Sequence, residues 1–430
     1  MTTVQGESQR DPAIDLLRFF CLALVVMGHC LMVSPQLHPD GTVTTQNTLG
    51  DQPWFTPVIW IFMVMPVFFV TGGSTGLQSW RRLKAGGGRA SQYAHVRMLR
   101  LIRPTAALLA CMFAGLWIAL LAGVHPQVIQ LLAAGAGMPL WFLAAYLTTQ
   151  LSLPLLAGLH DRAPWLTLAG LVSLVIAVDS LRGSFPLLAH LNMVFLWCAV
   201  QQLGFLLADS TFARLGTSGC IALILGANLV LGVVTGVGIY SGNMLVNLNP
   251  PNLCLFLLAV AQTAAFQLAR PGLEWLSSVK WINRLVRLVG ARCMTVYLWH
   301  LPLVGALLGL LLLTDLPLPA AGSAEWWWSR PLVLAAVVLL LLPTAGLFGW
   351  LEERPTAPSH SRGRAPAAVV TAGVLVFLPV VDAALQGLSL GLLGGGAACF
   401  ALAVLLLGRV PERMAARPLP PAPSSASLKG

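Results

Sequence analysis

Residues 11–34 read DPAIDLLRFFCLALVVMGHCLMVS, and this stretch decides the fold. It is long and apolar enough to cross a bilayer as one helix. Two of its side chains do not belong in hydrocarbon: Arg18 and His29. Eleven steps of helical rise set them about 16 Å apart, and eleven steps are about three turns, so both project from one face. An ionisable group at membrane depth is costly unless it lines a cavity or meets a partner. An Arg that snorkels to the interface and a His hydrogen-bonded inside a bundle are the ordinary readings. Two such groups on one face, half a bilayer apart, read instead as the two ends of a reaction path.

The rest of the chain is built the same way. Of 430 residues 57% are hydrophobic and 9% charged, against about 25% charged in a soluble domain. So few charges cannot cover a soluble surface, and the fold class is all-α: a polytopic transmembrane helical bundle. Twelve apolar spans are expected, at 12–34, 54–78, 104–123, 139–157, 164–180, 187–208, 219–240, 252–269, 291–314, 331–350, 367–385 and 388–407. The first is too long for a signal-peptide core and lacks a small-residue cleavage site, so it reads as an uncleaved span. The Pro-, Ala- and Ser-rich tail, 411–430, is expected to be disordered. The eight cysteines lie in apolar runs without metal-ligand spacing, so they read as small core residues, with no metal site.

The net charge of +10 follows from orientation. With the N-terminus in the cytoplasm, Arg81, Arg82, Lys84, Arg89, Arg97, Arg100 and Arg103 fall inside, as do Arg270, Lys280, Arg284, Arg287 and Arg292. So do Arg354, Arg362, Arg364 and the tail's Arg409, Arg413, Arg417 and Lys429, leaving Arg182 and Arg330 outside. This is the positive-inside pattern with both termini cytoplasmic, and it makes nucleic-acid binding unnecessary. The outer loop 35–53 carries Asp40 and Asp51 and no Lys or Arg. Trp326, Trp327 and Trp328 suit an interfacial aromatic belt or sugar stacking.

Asp15-Leu-Leu-Arg18 followed by His29 resembles the first-helix signature of the acyltransferase 3 family of bacterial membrane O-acyltransferases. Five later segments fit in order. Phe68-Phe69-Val70-Thr71-Gly72-Gly73 is similar to the family's small-residue segment on span two, departing at Thr71-Gly72-Gly73. Arg97, Arg100 and Arg103 precede Pro104 three residues apart, sharing a helix face. That face suits anionic lipid headgroups or donor phosphates. Leu140-Trp141-Phe142-Leu143 resembles the family's LWFL segment, but Ala144 and Ala145 stand where many members carry an acid. Tyr297-Leu298-Trp299-His300-Leu301-Pro302 matches the family's YLWHxP string, and Glu352-Glu353-Arg354-Pro355 resembles its closing ERP; those acids equally suit ordinary interfacial charges. His190, Asn192, Gln201 and Gln202 on span six read as polar glue between helices.

The resemblance covers about residues 11–355, the first ten spans; residues 1–355 are then expected to form an acyltransferase-like transmembrane domain, with 356–410 as two additional spans. It implies a bacterial cytoplasmic-membrane enzyme with no permanently bound cofactor. The implied donor is acyl-CoA as co-substrate; the implied acceptor is a hydroxyl of a sugar, lipid or metabolite. His29, Arg18 and His300 are the candidate catalytic residues, with His29 the general base and Arg18 orienting the donor; His300 alone would read as a packing His. Asp15, Arg97, Arg100, Arg103, Trp141 and Tyr297 are the candidate substrate-binding residues, Asp15 being one turn from Arg18 and placed to hold it. Polar residues along a helix face also describe a transporter path, though no inverted repeat is visible.

Overall fold

The computed structural model describes residues 11–38, 42–312, 314, 319–352 and 366–408. Asp40, Glu353, Arg354, Pro355, Arg362, Arg364, Arg409 and the tail 411–430 with its cations lie outside the described residues. Eleven helical segments are long and apolar enough to cross a membrane, and a shorter apolar helix lies at Ala367–Ala383. Each coincides with one of the spans read from the sequence.

In chain order the helices are α1 Pro12–Met32, α2 Phe55–Phe62, α3 Met65–Ala85, α4 Ala90–Leu121, α5 Pro126–Gly137, α6 Leu140–Arg162, α7 Pro164–Leu181 and α8 Asn192–Ala208. They continue as α9 Thr211–Gly236, α10 Leu253–Ser278, α11 Lys280–Ala291, α12 Cys293–Leu312, α13 Ala324–Phe348, α14 Pro366–Gln386 and α15 Leu390–Gly408. Gly216, at φ 65°, kinks α9 near its start, a backbone angle that glycine adopts without steric cost.

α1 starts where the sequence provides a cap. The Asp11 carboxylate accepts from the backbone N–H of Ala13 (3.1 Å) and Ile14 (3.2 Å), with Pro12 in the first turn; such caps satisfy donors that have no partner within the helix. The other Asp11 oxygen pairs with Arg270 of α10. α1 then packs against α3, α10, α11, α12 and α13. At its far end, β1 (Val33–Leu37) pairs antiparallel with β2 (Val43–Asn47) in a hairpin. Thr48 Oγ1 donates to Ser34 Oγ across its base at 2.7 Å.

The small residues of span two serve close packing. A Cβ on Gly73 would come within 2.5 Å of the Gln201 carbonyl oxygen, and one on Gly204 would strike the Val70 carbonyl. The polar residues of span six join helices. Gln201 donates to the Thr149 carbonyl at 2.8 Å, Gln202 to His160 Nδ1 at 2.7 Å and Asn192 to Asp179 at 3.0 Å. Because Gln202 donates to Nδ1, His160 donates from Nε2 to Asp209 (3.0 Å). Arg81 closes this cluster on Asp209 and Asp161, and its guanidinium holds the Asp209 carboxyl below the usual carboxylate range.

α14 and α15 pack on α4, and α14 also on α6. Gln130 Nε2 of α5 donates to the Leu388 carbonyl between them at 3.4 Å. α11 is basic and amphipathic: Lys280, Trp281, Arg284, Arg287 and Leu288 are exposed while Val286 is buried. This is the pattern of a helix lying in a membrane interface.

Candidate active site

One end of α1 carries a cationic centre. Arg18 is half-buried, and its Nε donates to Thr71 Oγ1 at 3.3 Å and its Nη2 to Thr75 Oγ1 at 2.9 Å. Both hydroxyls spend their own protons on α3 carbonyls, Thr71 on Phe68 and Thr75 on Thr71, each at 2.9 Å. Their lone pairs are therefore free to face the guanidinium. Thr71, in the stretch that departs from the family string, is thus one of the two residues that hold Arg18. Arg100, one face of α4, and Arg18 both act electrostatically on Cys293 at the start of α12. Arg97 lies over the Tyr93 ring, 5.1 Å from its centroid. Arg103 and Asp15 are half-buried on α4 and α1.

The other end holds two imidazoles from α1 and α12. His300 is fully buried, with its Nε2 2.9 Å from Nδ1 of His29. His300 Nδ1 lies 2.5 Å from the Tyr297 carbonyl oxygen. A carbonyl only accepts, so His300 must donate from Nδ1, which leaves its Nε2 as an acceptor when the ring is neutral. His29 must then donate from Nδ1, and its Nε2 keeps a lone pair. This chain of donors fixes the tautomer of His29, the detail that decides which nitrogen can take a proton.

α12 is itself anchored from a distance. The buried Glu352 carboxylate accepts from the backbone N–H of Met294 (3.0 Å) and Thr295 (2.6 Å) and from Thr295 Oγ1 (2.5 Å). A carboxylate at a helix N-terminus satisfies open donors and meets the positive end of the dipole. Glu352 is therefore a capping group for the helix that carries His300, a role beyond that of an ordinary interfacial acid.

His29 opens on a cavity of about 740 Å³, within the size range of small-molecule sites. Its walls come from α4, α5, α6 and α12, and Val43, Thr45, Gln46 and Asn47 of the hairpin border it. Trp141 and Tyr297, candidate substrate-binding residues from the LWFL and YLWHxP strings, line it. Tyr297 Oη donates to the Pro139 carbonyl at 3.3 Å, and its ring meets Phe142 with centroids 4.7 Å apart. His300 is not among the residues lining this cavity; it lies against the His29 ring on the facing surface of α12.

The acyltransferase domain family, acyltransferase 3, matches residues 11–350. The chain belongs to it. No curated protein and no solved structure matches the chain. As a multi-pass membrane acyltransferase, the protein places the two α1 groups about 16 Å apart on one helix, each completed by a different partner helix. Three features were not expected from the sequence: the Thr75 hydroxyl on Arg18, the Glu352 cap, and the hairpin that borders the cavity.

Proposed function

We propose that this membrane acyltransferase moves an acyl group from cytoplasmic acyl-CoA to a hydroxyl of a glycan, lipid or secondary metabolite, with His29 as general base. The observation that carries the reading is the imidazole pair, which engages His29 Nδ1 and leaves Nε2 as the free nitrogen of a ring that lines a cavity large enough for a substrate. In the transfer step the acceptor hydroxyl oxygen attacks the thioester carbonyl while its proton passes to His29 Nε2. The C–S bond then breaks, and the imidazolium returns the proton to the departing CoA thiolate. Oxygen acylation and thioester cleavage balance without a further reactant.

Arg18 would steer the donor from the basic side. Arg100 and the neighbouring Arg97 and Arg103 supply the charge that phosphates of CoA need, and Arg pairs with phosphate through a planar fork. The distance of about 16 Å between Arg18 and His29 suits an extended donor, its nucleotide held at the basic end and its acyl group delivered near His29. The Lys and Arg distribution supports an orientation with both termini in the cytoplasm of a bacterial cell. On this reading the CoA end faces the cytoplasm and the hairpin end faces outward.

The test is transfer from labelled acetyl-CoA by purified protein in nanodiscs. His29→Ala should lower the rate by about 10²–10⁴, the usual contribution of a positioned base, with insertion and elution profile unchanged. Near-wild-type transfer by His29→Ala would sink the mechanism and bring forward a carrier that moves its cargo without chemistry.

A further inference from the structure

α11 presents four distinct sides. At about 100° per residue, Ile282, Val286 and Val289 share one of them. Val286 is buried and the other two are half-buried, so this side faces α1, α10 and α12, on which the helix packs. Trp281, Leu285 and Leu288 form a second side about a quarter-turn away and are 68%, 39% and 52% exposed. Lys280, Arg284 and Arg287 form a third, another quarter-turn on and opposite the packed side; all three are exposed. Asn283 and Gly290 take the fourth, opposite the apolar stripe.

This order of sides fixes where the cations point. An interfacial helix turns its apolar stripe toward the acyl chains. With that stripe down and the packed side against the bundle, the cations project sideways, away from the protein and level with the lipid headgroups. The side turned to water carries Asn283 and Gly290 instead. A basic stripe kept for solubility or for a soluble anionic partner belongs on that water side. Trp281 and Trp275, the latter 72% exposed near the end of α10, mark the same border, where amphipathic rings settle. Among the described residues no carboxylate pairs with Lys280, Arg284 or Arg287. Glu274, the nearest acid in sequence, is held by Arg270 at 2.9 Å, and Arg270 also pairs with Asp11.

We infer that the outward basic stripe of α11 binds the headgroups of anionic phospholipids in preference to zwitterionic ones, with Trp281, Leu285 and Leu288 resting on their acyl chains. The occupant is a bilayer lipid, because its charge and its apolar chains meet two adjoining sides of one helix at once. The inference is independent of the acyl-transfer reading and of which membrane face is cytoplasmic.

The experiment places p-benzoylphenylalanine, a photocrosslinker, at position 281 on the apolar stripe of the full-length protein. The protein is held in nanodiscs of equal phosphatidylglycerol and phosphatidylcholine, and crosslinked lipids are counted by mass spectrometry. One cation at an anionic surface corresponds to about fivefold in binding, so phosphatidylglycerol should be captured more often by at least about that factor. With Lys280→Gln, Arg284→Gln and Arg287→Gln combined, the ratio should fall to about one. Salt at about 1 M, which shortens the screening length to about 3 Å, should lower the ratio of the native stripe toward one as well. The same crosslinker at Leu225, 65% exposed midway along α9 with no cation within two turns, should show no preference. A ratio near one at α11 in low salt, or no lipid captured there, overturns the proposal. So does a ratio that persists in high salt or in the folded triple variant, or an equal ratio at Leu225. The salt arm decides the matter if the triple variant does not insert.

Discussion

Replacing His300 with Phe keeps a planar ring in the dry space beneath His29 and removes the acceptor 2.9 Å from His29 Nδ1. The expected loss follows from what that nitrogen then lacks. If another acceptor replaces it, only the net worth of one hydrogen bond disappears, about 1 kcal/mol, or about fivefold. If the Nδ1–H stays buried and unpaired, the penalty reaches about 3 kcal/mol, or about 150-fold. The loss should fall on the chemical step, because the proposed mechanism has the donor held at the Arg18 end. The assay is steady-state transfer from labelled acyl-CoA, with kcat and donor KM measured separately. His300→Gln, whose amide oxygen can accept, should recover part of the rate. A double-mutant cycle decides whether His300 acts through His29: His29→Ala/His300→Phe should be no slower than His29→Ala. Multiplicative losses in the double variant, or a His300→Phe enzyme with wild-type kcat, would refute the tautomer relay.

Arg18→Ala should raise the KM for acyl-CoA, and Arg18→Lys should rescue it only in part, since one ammonium cannot reach both Thr71 and Thr75 as the fork does; an unchanged KM would detach Arg18 from the donor. Asp209→Ala should lower thermal stability by about 1–3 kcal/mol, the cost of leaving buried His160 without an acceptor. The Arg81 guanidinium holds the Asp209 carboxyl below the usual carboxylate range, so its stabilisation is full above that range and lost as pH falls through the lower folded value. Melting curves of wild type and Asp209→Ala should therefore converge only below about pH 4. Single cysteines at Thr44 and Gly87 should label from opposite sides, Thr44 from outside; labelling of Gly87 from outside would reverse the membrane orientation and move donor entry to the other face.

The spans and the pair Arg18 and His29 are legible because a cation and an imidazole stand out against hydrocarbon. His300 is legible through the string around it, though not its position behind His29, which depends on how α12 turns against α1. Thr71 and Thr75 are silent in the sequence: helical hydroxyls usually bond to their own backbone, and these do so while also receiving Arg18. The hairpin is hidden by Pro35, which argues against a strand away from a sheet edge. The cavity is invisible for another reason. Its Met, Leu and Val walls are the same residue types as the core, and only the placement of α5 against α4 and α12 leaves them apart. Glu352 looks like any acid at the end of a span until its partners, Met294 and Thr295, are seen.

That last contact bears on how the protein is made. The carboxylate that finishes the N-terminus of α12 lies 57 residues downstream of Thr295. At about 5–20 residues per second, a ribosome needs about three to eleven seconds to reach it after α12 has begun to enter the bilayer. For that interval the helix carrying His300 has open backbone donors at its entrance. The acid thus acts as a latch that closes only when α13 has been synthesised and returned to the same side of the membrane. A chain that stalls or is cut before Glu352 would contain both histidines and lack the means to hold one of them in place. Assembly of the imidazole pair is thereby tied to completion of the matched domain.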